Sequence, residues 1–144
     1  MRMIIKRTYS DDDMNLLFKM IRKKVGRYEK IKHLLHIKKC SDPNLAERYL
    51  ILTCIMNNGQ IDEEVIIEDR KVFNALTGKR MEIIELVNEK GPISVKELAK
   101  FAGRDYKNVY DDIMALEKFL IIRAVKVGKE RVALGKVKEC TLKF

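Results

Sequence analysis

The chain has 144 residues, of which 47% are hydrophobic and 35% charged, and its formal net charge is +9. The hydrophobic fraction is enough for a folded core and argues against wholesale disorder, and no uncharged apolar run reaches the roughly 18 residues that span a bilayer. Three widely spaced cysteines and two histidines offer little for a disulfide framework or for acid–base catalysis, so we expect a cytoplasmic protein that is no enzyme and needs no cofactor.

The first sixty residues predict a short strand followed by three helices. Residues 2–8 are suited to the strand, and Ser10, standing before three aspartates, caps a helix whose apolar stripe ends near Gly26. A second helix is predicted over residues 27–39 and a third over residues 43–56. The third helix is apolar on nearly every side and must be covered, either by the second domain or by another subunit, which makes it the natural candidate for a dimer interface. Residues 1–60 as a whole are predicted to serve in dimerisation or in binding a partner.

Three candidate metal ligands, His33, His36 and Cys40, fall on one side of the second predicted helix. Imidazole and thiolate groups in this arrangement could bind zinc or a similar metal. A structural zinc site needs four ligands, however, and neither a C-x-x-C nor an H-x-x-x-H motif lies nearby. An ordinary polar surface or interface is therefore the favoured interpretation, and metal analysis of the purified protein decides between the two.

Beyond residue 61 the pattern predicts two short elements and then a longer helix. A strand is expected over residues 63–68 and a short helix over residues 69–76. From Lys79 to about Lys90, apolar residues recur at helical spacing and indicate an amphipathic helix, which a Gly-Pro pair ends.

The next segment carries the sharpest local signals in the chain. Ser94, with Glu97 three residues later, is a capping box that begins a short helix, and Gly103 ends it in a tight turn. Asp105 then caps a longer helix whose apolar stripe is formed by Val109, Ile113, Leu116 and Leu120. Two β-branched runs on either side of Gly128 predict a hairpin. A winged helix-turn-helix has this order of elements: helix, short helix, tight turn, longer helix and hairpin. In that fold the last helix enters the major groove of DNA.

The distribution of charge fits this interpretation. Residues 1–60 carry 13 Lys and Arg against 6 Asp and Glu, residues 61–89 carry 4 against 8, and residues 90–144 carry 13 against 7. A basic face is the electrostatic footprint of nucleic-acid binding. A solvated surface explains any single basic run about equally well.

Four segments of the C-terminal half resemble a known family: ALTGKRMEII (75–84), GPISVKELA (91–99), GRDYKNV (103–109) and ALEKFLI (115–121). They are similar to winged-helix transcriptional regulators of archaea and bacteria, often described as MarR-like, some of which are antitoxins. The resemblance covers about residues 64–135 and implies DNA binding through the recognition helix and the wing. Tyr110 and Asp111 replace the His and the basic or small residue that are common in the family, so its base preference does not carry over.

The predicted DNA contacts lie in the short helix, the opening of the recognition helix and the wing: Arg104, Tyr106, Lys107, Asn108, Tyr110, Lys96, Lys129 and Arg131. Arginine and lysine can donate to guanine or to phosphate, and asparagine can pair with adenine. The two tyrosines could equally fill the space between helices, and a solvated surface is the alternative for the charged residues.

These inferences predict a mainly α fold with a small β wing: a helical N-terminal region over residues 1–60 and a winged helix-turn-helix domain over residues 61–144. The predicted function is sequence-specific binding of double-stranded DNA by a homodimer that regulates transcription. Two alternatives stay open. One is an antitoxin-type regulator that binds a toxin protein through residues 1–60. The other is a winged helix used for protein contacts alone, which the weak net charge of +2 over residues 61–144 favours.

Overall fold

The computed structural model describes residues 1–25 and 62–144. The elements in chain order are β1 (Arg2–Thr8), α1 (Asp11–Val25), β2 (Asp62–Ile67), α2 (Val72–Ala75), α3 (Gly78–Lys90), β3 (Ile93–Ser94), α4 (Val95–Ala102), α5 (Tyr106–Lys118), β4 (Arg123–Val127), β5 (Glu130–Leu134) and β6 (Lys136–Lys143). The predicted helices over 27–39 and 43–56 lie outside the described residues, together with the candidate metal ligands His33, His36 and Cys40.

The chain divides into two compact units. Residues Met1–Tyr9 and Asp62–Phe144 form one unit, and Ser10–Ile61 form the other. In the second unit, α1 begins as predicted: the Ser10 hydroxyl accepts a hydrogen bond from the Asp13 amide at 3.2 Å, and the Asp13 carboxylate accepts one from the Ser10 amide at 2.9 Å. This reciprocal cap satisfies amide groups that have no partner inside the helix.

The expectation of a mainly α fold with a small β wing is wrong, because the described part of the chain is α+β. Its strands form two three-stranded antiparallel sheets, ordered β2-β1-β6 (sheet 1) and β3-β5-β4 (sheet 2). Strands were predicted at 2–8 and 63–68, but β6 was missed. In sheet 1, Ile5 pairs with Val65 on one side and Cys140 on the other. Pairings over such distances along the chain leave no local signal in the sequence.

The helices and sheet 2 follow the predicted order, with one extra strand. Ser94 caps α4, its hydroxyl accepting from the Glu97 amide at 3.2 Å, and Gly103 ends that helix in the left-handed region at φ 63°. Asp105 stands before α5 but makes no side-chain cap, contrary to expectation. The β4–β5 hairpin turns at Gly128, whose φ is also 63°, and β3 adds a third strand along β5.

The core of the first unit lies between α5 and the elements around it. Val109, Ile113 and Leu116 of α5 are fully buried in a cluster with residues of α3, α4, sheet 2 and β1. Leu120 was expected to extend this stripe, yet it is 47% exposed. The helix ends at Lys118, and the chain turns away before Leu120 can follow the same face.

An asparagine fastens sheet 1 to the helices. The Asn88 amide nitrogen donates to the Val137 carbonyl at 2.8 Å, and its oxygen accepts from the Val137 amide at 2.8 Å. The pairing of β1 with β6 shifts register at this level, between Lys6 and Arg7. A side chain on α3 thus satisfies both backbone groups of one residue at an irregular point of the sheet.

Candidate nucleic-acid interface

Four of the eight predicted contact residues line one open groove of about 340 Å³. Lys96 comes from α4, Tyr106 from the first turn of α5, and Lys129 and Arg131 from the β4–β5 hairpin; Glu130 also lines the groove. Three cationic side chains against one carboxylate make this surface attractive to phosphate groups. We call these five residues the groove.

Local backbone signals bring the groove residues together. The cap at Ser94 sets where α4 begins and so places Lys96 on its first turn. The left-handed turn at Gly103 lets α5 start in a new direction, and the turn at Gly128 puts Lys129 at the tip of the hairpin. Glycine adopts a positive φ without the steric cost that a Cβ brings. Each of these devices was visible in the sequence.

The opening of α5 presents further polar groups to solvent. Lys107 and Asn108 are exposed. The two tyrosines differ: Tyr106 is 49% exposed, whereas Tyr110 is partly buried and packs against the core. Their rings stack with centroids 6.1 Å apart. Tyr110 therefore helps to seat the ring of Tyr106 at the edge of the groove.

Arg104, a leading candidate for DNA contact, pairs with a carboxylate of the protein itself. Its Nη2 lies 2.7 Å from Asp112 Oδ2, and Arg80 Nε donates to Asp112 Oδ1 at 2.9 Å. The Asp112 side chain is 13% exposed. One carboxylate of α5 thus holds an arginine of α3 and the arginine of the α4–α5 turn. Arg104 fixes the turn that aims α5, and its guanidinium does not line the groove.

Replacing Asp112 with alanine tests this structural role. The change leaves two largely buried arginines without their shared carboxylate, so we expect the free energy of unfolding to fall by about 2–3 kcal/mol. Urea titration followed by circular dichroism measures the loss. Asp111→Ala is the matched control, because Asp111 is the exposed neighbour on the same helix and its loss is expected to change stability by less than about 0.5 kcal/mol. Equal losses in the two variants contradict the assignment.

A second polar cluster was not predicted from the sequence. It consists of Arg7, Tyr9, Glu63 and Arg123, and we call it the Glu63 cluster. Arg7 is almost completely buried, and its Nε and Nη2 donate to Glu63 Oε2 at 3.1 and 2.7 Å. The Tyr9 hydroxyl donates to the same oxygen, and Arg123 Nη2 donates to Glu63 Oε1 at 2.9 Å. One carboxylate therefore links β1, β2 and β4. A signal did exist, since Arg7 falls in phase with the apolar Met3 on the inward face of β1.

Ionisation within this cluster follows from its geometry. Burial raises the pKa of Glu63, but hydrogen bonds from Tyr9 and Arg7 and the charges of Arg7 and Arg123 outweigh it and lower the pKa to about 2. Burial, together with the hydrogen bond to Glu63, raises the pKa of the Tyr9 phenol. Glu63 is thus an anion and Tyr9 a neutral donor at neutral pH.

Comparison with known proteins identifies one matching family model. A model described as HVO_A0114 matches residues 75–137, which is less than half of the chain. No curated protein and no solved structure matches the chain. The matched segment contains the whole groove but neither Arg7 nor Glu63. The resemblance to MarR-like regulators stays a prediction, since this description names neither a fold nor an activity.

The described residues contain neither a candidate metal site nor a membrane-spanning helix. No group of three or more His, Cys, Asp or Glu side chains could hold a metal ion among residues 1–25 and 62–144. Within the same ranges, no helix has the length and apolar character needed to cross a membrane. The predicted ligands His33, His36 and Cys40 lie outside these ranges.

Proposed function

We propose that this protein binds double-stranded DNA in a sequence-specific manner and regulates transcription, with α5 in the major groove and the β4–β5 hairpin on the backbone or in the minor groove. The observation that carries the proposal is the convergence of Lys96, Lys129 and Arg131 with Tyr106 on one open groove. A helix that reads bases needs flanking cations that hold the phosphates on either side, and this groove supplies them from two other elements.

The exposed residues divide into candidates for base contact and candidates for phosphate contact. Lys107 and Asn108, on the first turn of α5, are the candidates for base contact, because an ammonium can donate to guanine O6 or N7 and an amide can pair with adenine. Lys96 and Lys129 are candidates for phosphate contact. Arg131, which forms an ion pair with Glu117 at 3.7 Å between Nη1 and Oε2, also lines the groove and is a further candidate for phosphate contact.

The proposal includes a homodimer acting in the cytoplasm. A single module of this size covers only about 600–1,000 Å² of its own surface on DNA, whereas two copies can read two half-sites about 34–36 Å apart. Residues 43–56, the predicted dimer interface, lie outside the described residues. Sedimentation at micromolar concentration tests this part, and a monomer would contradict it.

Selection of bound duplexes from a random pool is the experiment that tests the function. We expect enriched sequences with two related half-sites and an affinity that falls steeply with salt. The matched variant Lys107→Met is expected to relax the preference at one position of each half-site while leaving the others unchanged. A pool without enriched sequences would contradict sequence-specific binding.

A second candidate function is binding to proteins alone, without contact to DNA. Two observations favour it: Asp111 is exposed on α5, and Glu130 lines the groove, where each would repel phosphate. Calorimetry with unrelated duplexes at low salt separates the candidates, because a module for protein contacts gives no heat of binding. The antitoxin alternative rests on residues 1–60, and a toxin-like gene beside this one would support it.

A further inference from the structure

Both strands of the hairpin end on the Glu63 cluster. Arg123, the first residue of β4, donates to Glu63 Oε1 at 2.9 Å. The other strand, β5, runs through Gly135 into β6. Gly135 has a φ of 89°, and a Cβ built there would lie 2.8 Å from Cδ of Arg7. The hairpin is therefore fixed at its base to the ion pair between the buried Arg7 and the partly buried Glu63.

The same arginine also holds the exit of α5. Arg7 Nη1 donates to the carbonyl oxygen of Leu120 and, at 3.1 Å, to that of Ile121. Leu120 has a φ of 58°, a left-handed conformation that is uncommon for a residue other than glycine. The backbone amide of Leu120 donates to the backbone carbonyl of Glu117 in α5. A strained helix end and the base of the hairpin thus share one guanidinium.

We propose, on the basis of the proposed function, that Glu63 and Arg7 are positioning residues for DNA binding. They set the direction of the β4–β5 hairpin relative to α5, so that Lys129 reaches a phosphate while α5 occupies the major groove. Neither residue lines the groove. Their action on DNA passes through Arg123 and through the backbone that they hold.

The length of the hairpin makes its base important. From Arg123 to the turn at Gly128 the strand rises about 17 Å at roughly 3.3 Å per residue. A tilt of about 10° at the base moves the tip by about 3 Å, which is enough to break a hydrogen bond to phosphate. The contact that Lys129 makes therefore depends on how firmly Glu63 holds Arg123.

A set of double-mutant cycles on the full chain tests this role. The variants are Glu63→Gln, Lys129→Met and Lys107→Met, singly and with each lysine change combined with Glu63→Gln. Dissociation constants for a selected duplex are measured at several salt concentrations, at a temperature where each variant is folded by circular dichroism. Losing one phosphate contact weakens binding about eightfold at roughly 0.1 M salt and lowers the salt slope by about one.

We expect Glu63→Gln alone to reproduce the loss seen with Lys129→Met, including the smaller salt slope. In the Glu63→Gln background, Lys129→Met then causes no further loss of affinity. Lys107→Met, in contrast, weakens binding by the same factor as it does in the wild type. A purely structural role for Glu63 predicts the opposite, with Lys129→Met keeping its full effect in the Glu63→Gln background. That result would overturn the proposal.

Two further variants complete the design. Arg123→Met tests the same link if Glu63→Gln does not fold, and it must also remove the effect of Lys129→Met. If Arg123→Met weakens binding but Lys129→Met still has its full effect, Arg123 touches DNA itself and the positioning role is rejected. Lys6→Met, a side chain 52% exposed in sheet 1, is the charge-matched control and should bind normally. A wild-type protein that shows no salt-dependent duplex binding contradicts the proposed function itself, before any variant is compared.

Discussion

Replacing both Lys96 and Lys129 with methionine is expected to weaken duplex binding about 60-fold at roughly 0.1 M salt, since each lost phosphate contact contributes about eightfold. The two residues lie on different elements, α4 and the hairpin tip, so their effects should multiply. The slope of log affinity against log salt should fall by about two. Fluorescence anisotropy with a labelled duplex, between about 0.05 and 0.3 M salt, measures both quantities.

The control for this prediction keeps the net charge equal. Lys138 and Lys143 are exposed on β6, in sheet 1, and neither lines the groove. The double variant Lys138→Met/Lys143→Met loses the same two positive charges. We expect it to bind within about twofold of the wild type, because exposed charges more than a Debye length from the DNA are largely screened. If it loses as much affinity as the groove variant, overall charge and not the groove governs binding.

The order of elements from α3 to the hairpin could be predicted because their signals are local. A hydroxyl at Ser94 and a glycine at Gly103 each act within one or two turns of chain, and the structure confirms both. The turn at Gly128 is of the same kind. These three local signals determine where α4 begins and ends and where the hairpin turns. Four of the five groove residues were predicted from that order, and Glu130 was not.

Sheet 1 and the Glu63 cluster could not be predicted, since their partners are distant in sequence. Ile5 contributes an apolar position to a strand, but nothing near it specifies Val65 or Cys140 as neighbours. Arg104 is predicted to contact DNA because a guanidinium can donate to guanine or to phosphate, and its ion pair is not evident from the sequence. Arg80 of α3 reaches Asp112 only when α5 has packed against α3, and Arg104 joins the same carboxylate from the turn that precedes α5.

Replacing Arg7 with methionine is expected to lower the free energy of unfolding at pH 7 by about 3–5 kcal/mol. The reason is that the change removes the main partner of a partly buried carboxylate: Glu63 would keep its charge, the Tyr9 hydroxyl and Arg123, but lose both hydrogen bonds from Arg7. The carbonyl groups of Leu120 and Ile121 would lose their donor as well. Urea unfolding followed by circular dichroism measures the loss.

The pH dependence of that loss separates an electrostatic cause from a packing cause. The pKa of Glu63 is about 2 in the folded protein, below its ordinary value of 4.5, so the wild type gains stability from this group above pH 4.5 and loses it as pH falls toward 2. Without Arg7 the pKa of Glu63 in the folded protein rises, so the variant loses less stability in acid than the wild type does. The stability curves of wild type and Arg7→Met should therefore approach each other as pH falls from 4.5 to 2. In Lys6→Met, where only a solvent-screened, exposed ion pair with Glu139 is lost, the curve should stay close to that of the wild type. Parallel curves for Arg7→Met and wild type would mean that the packing of the arginine stem, and not its charge, is what stabilises the junction between sheet 1 and the hairpin.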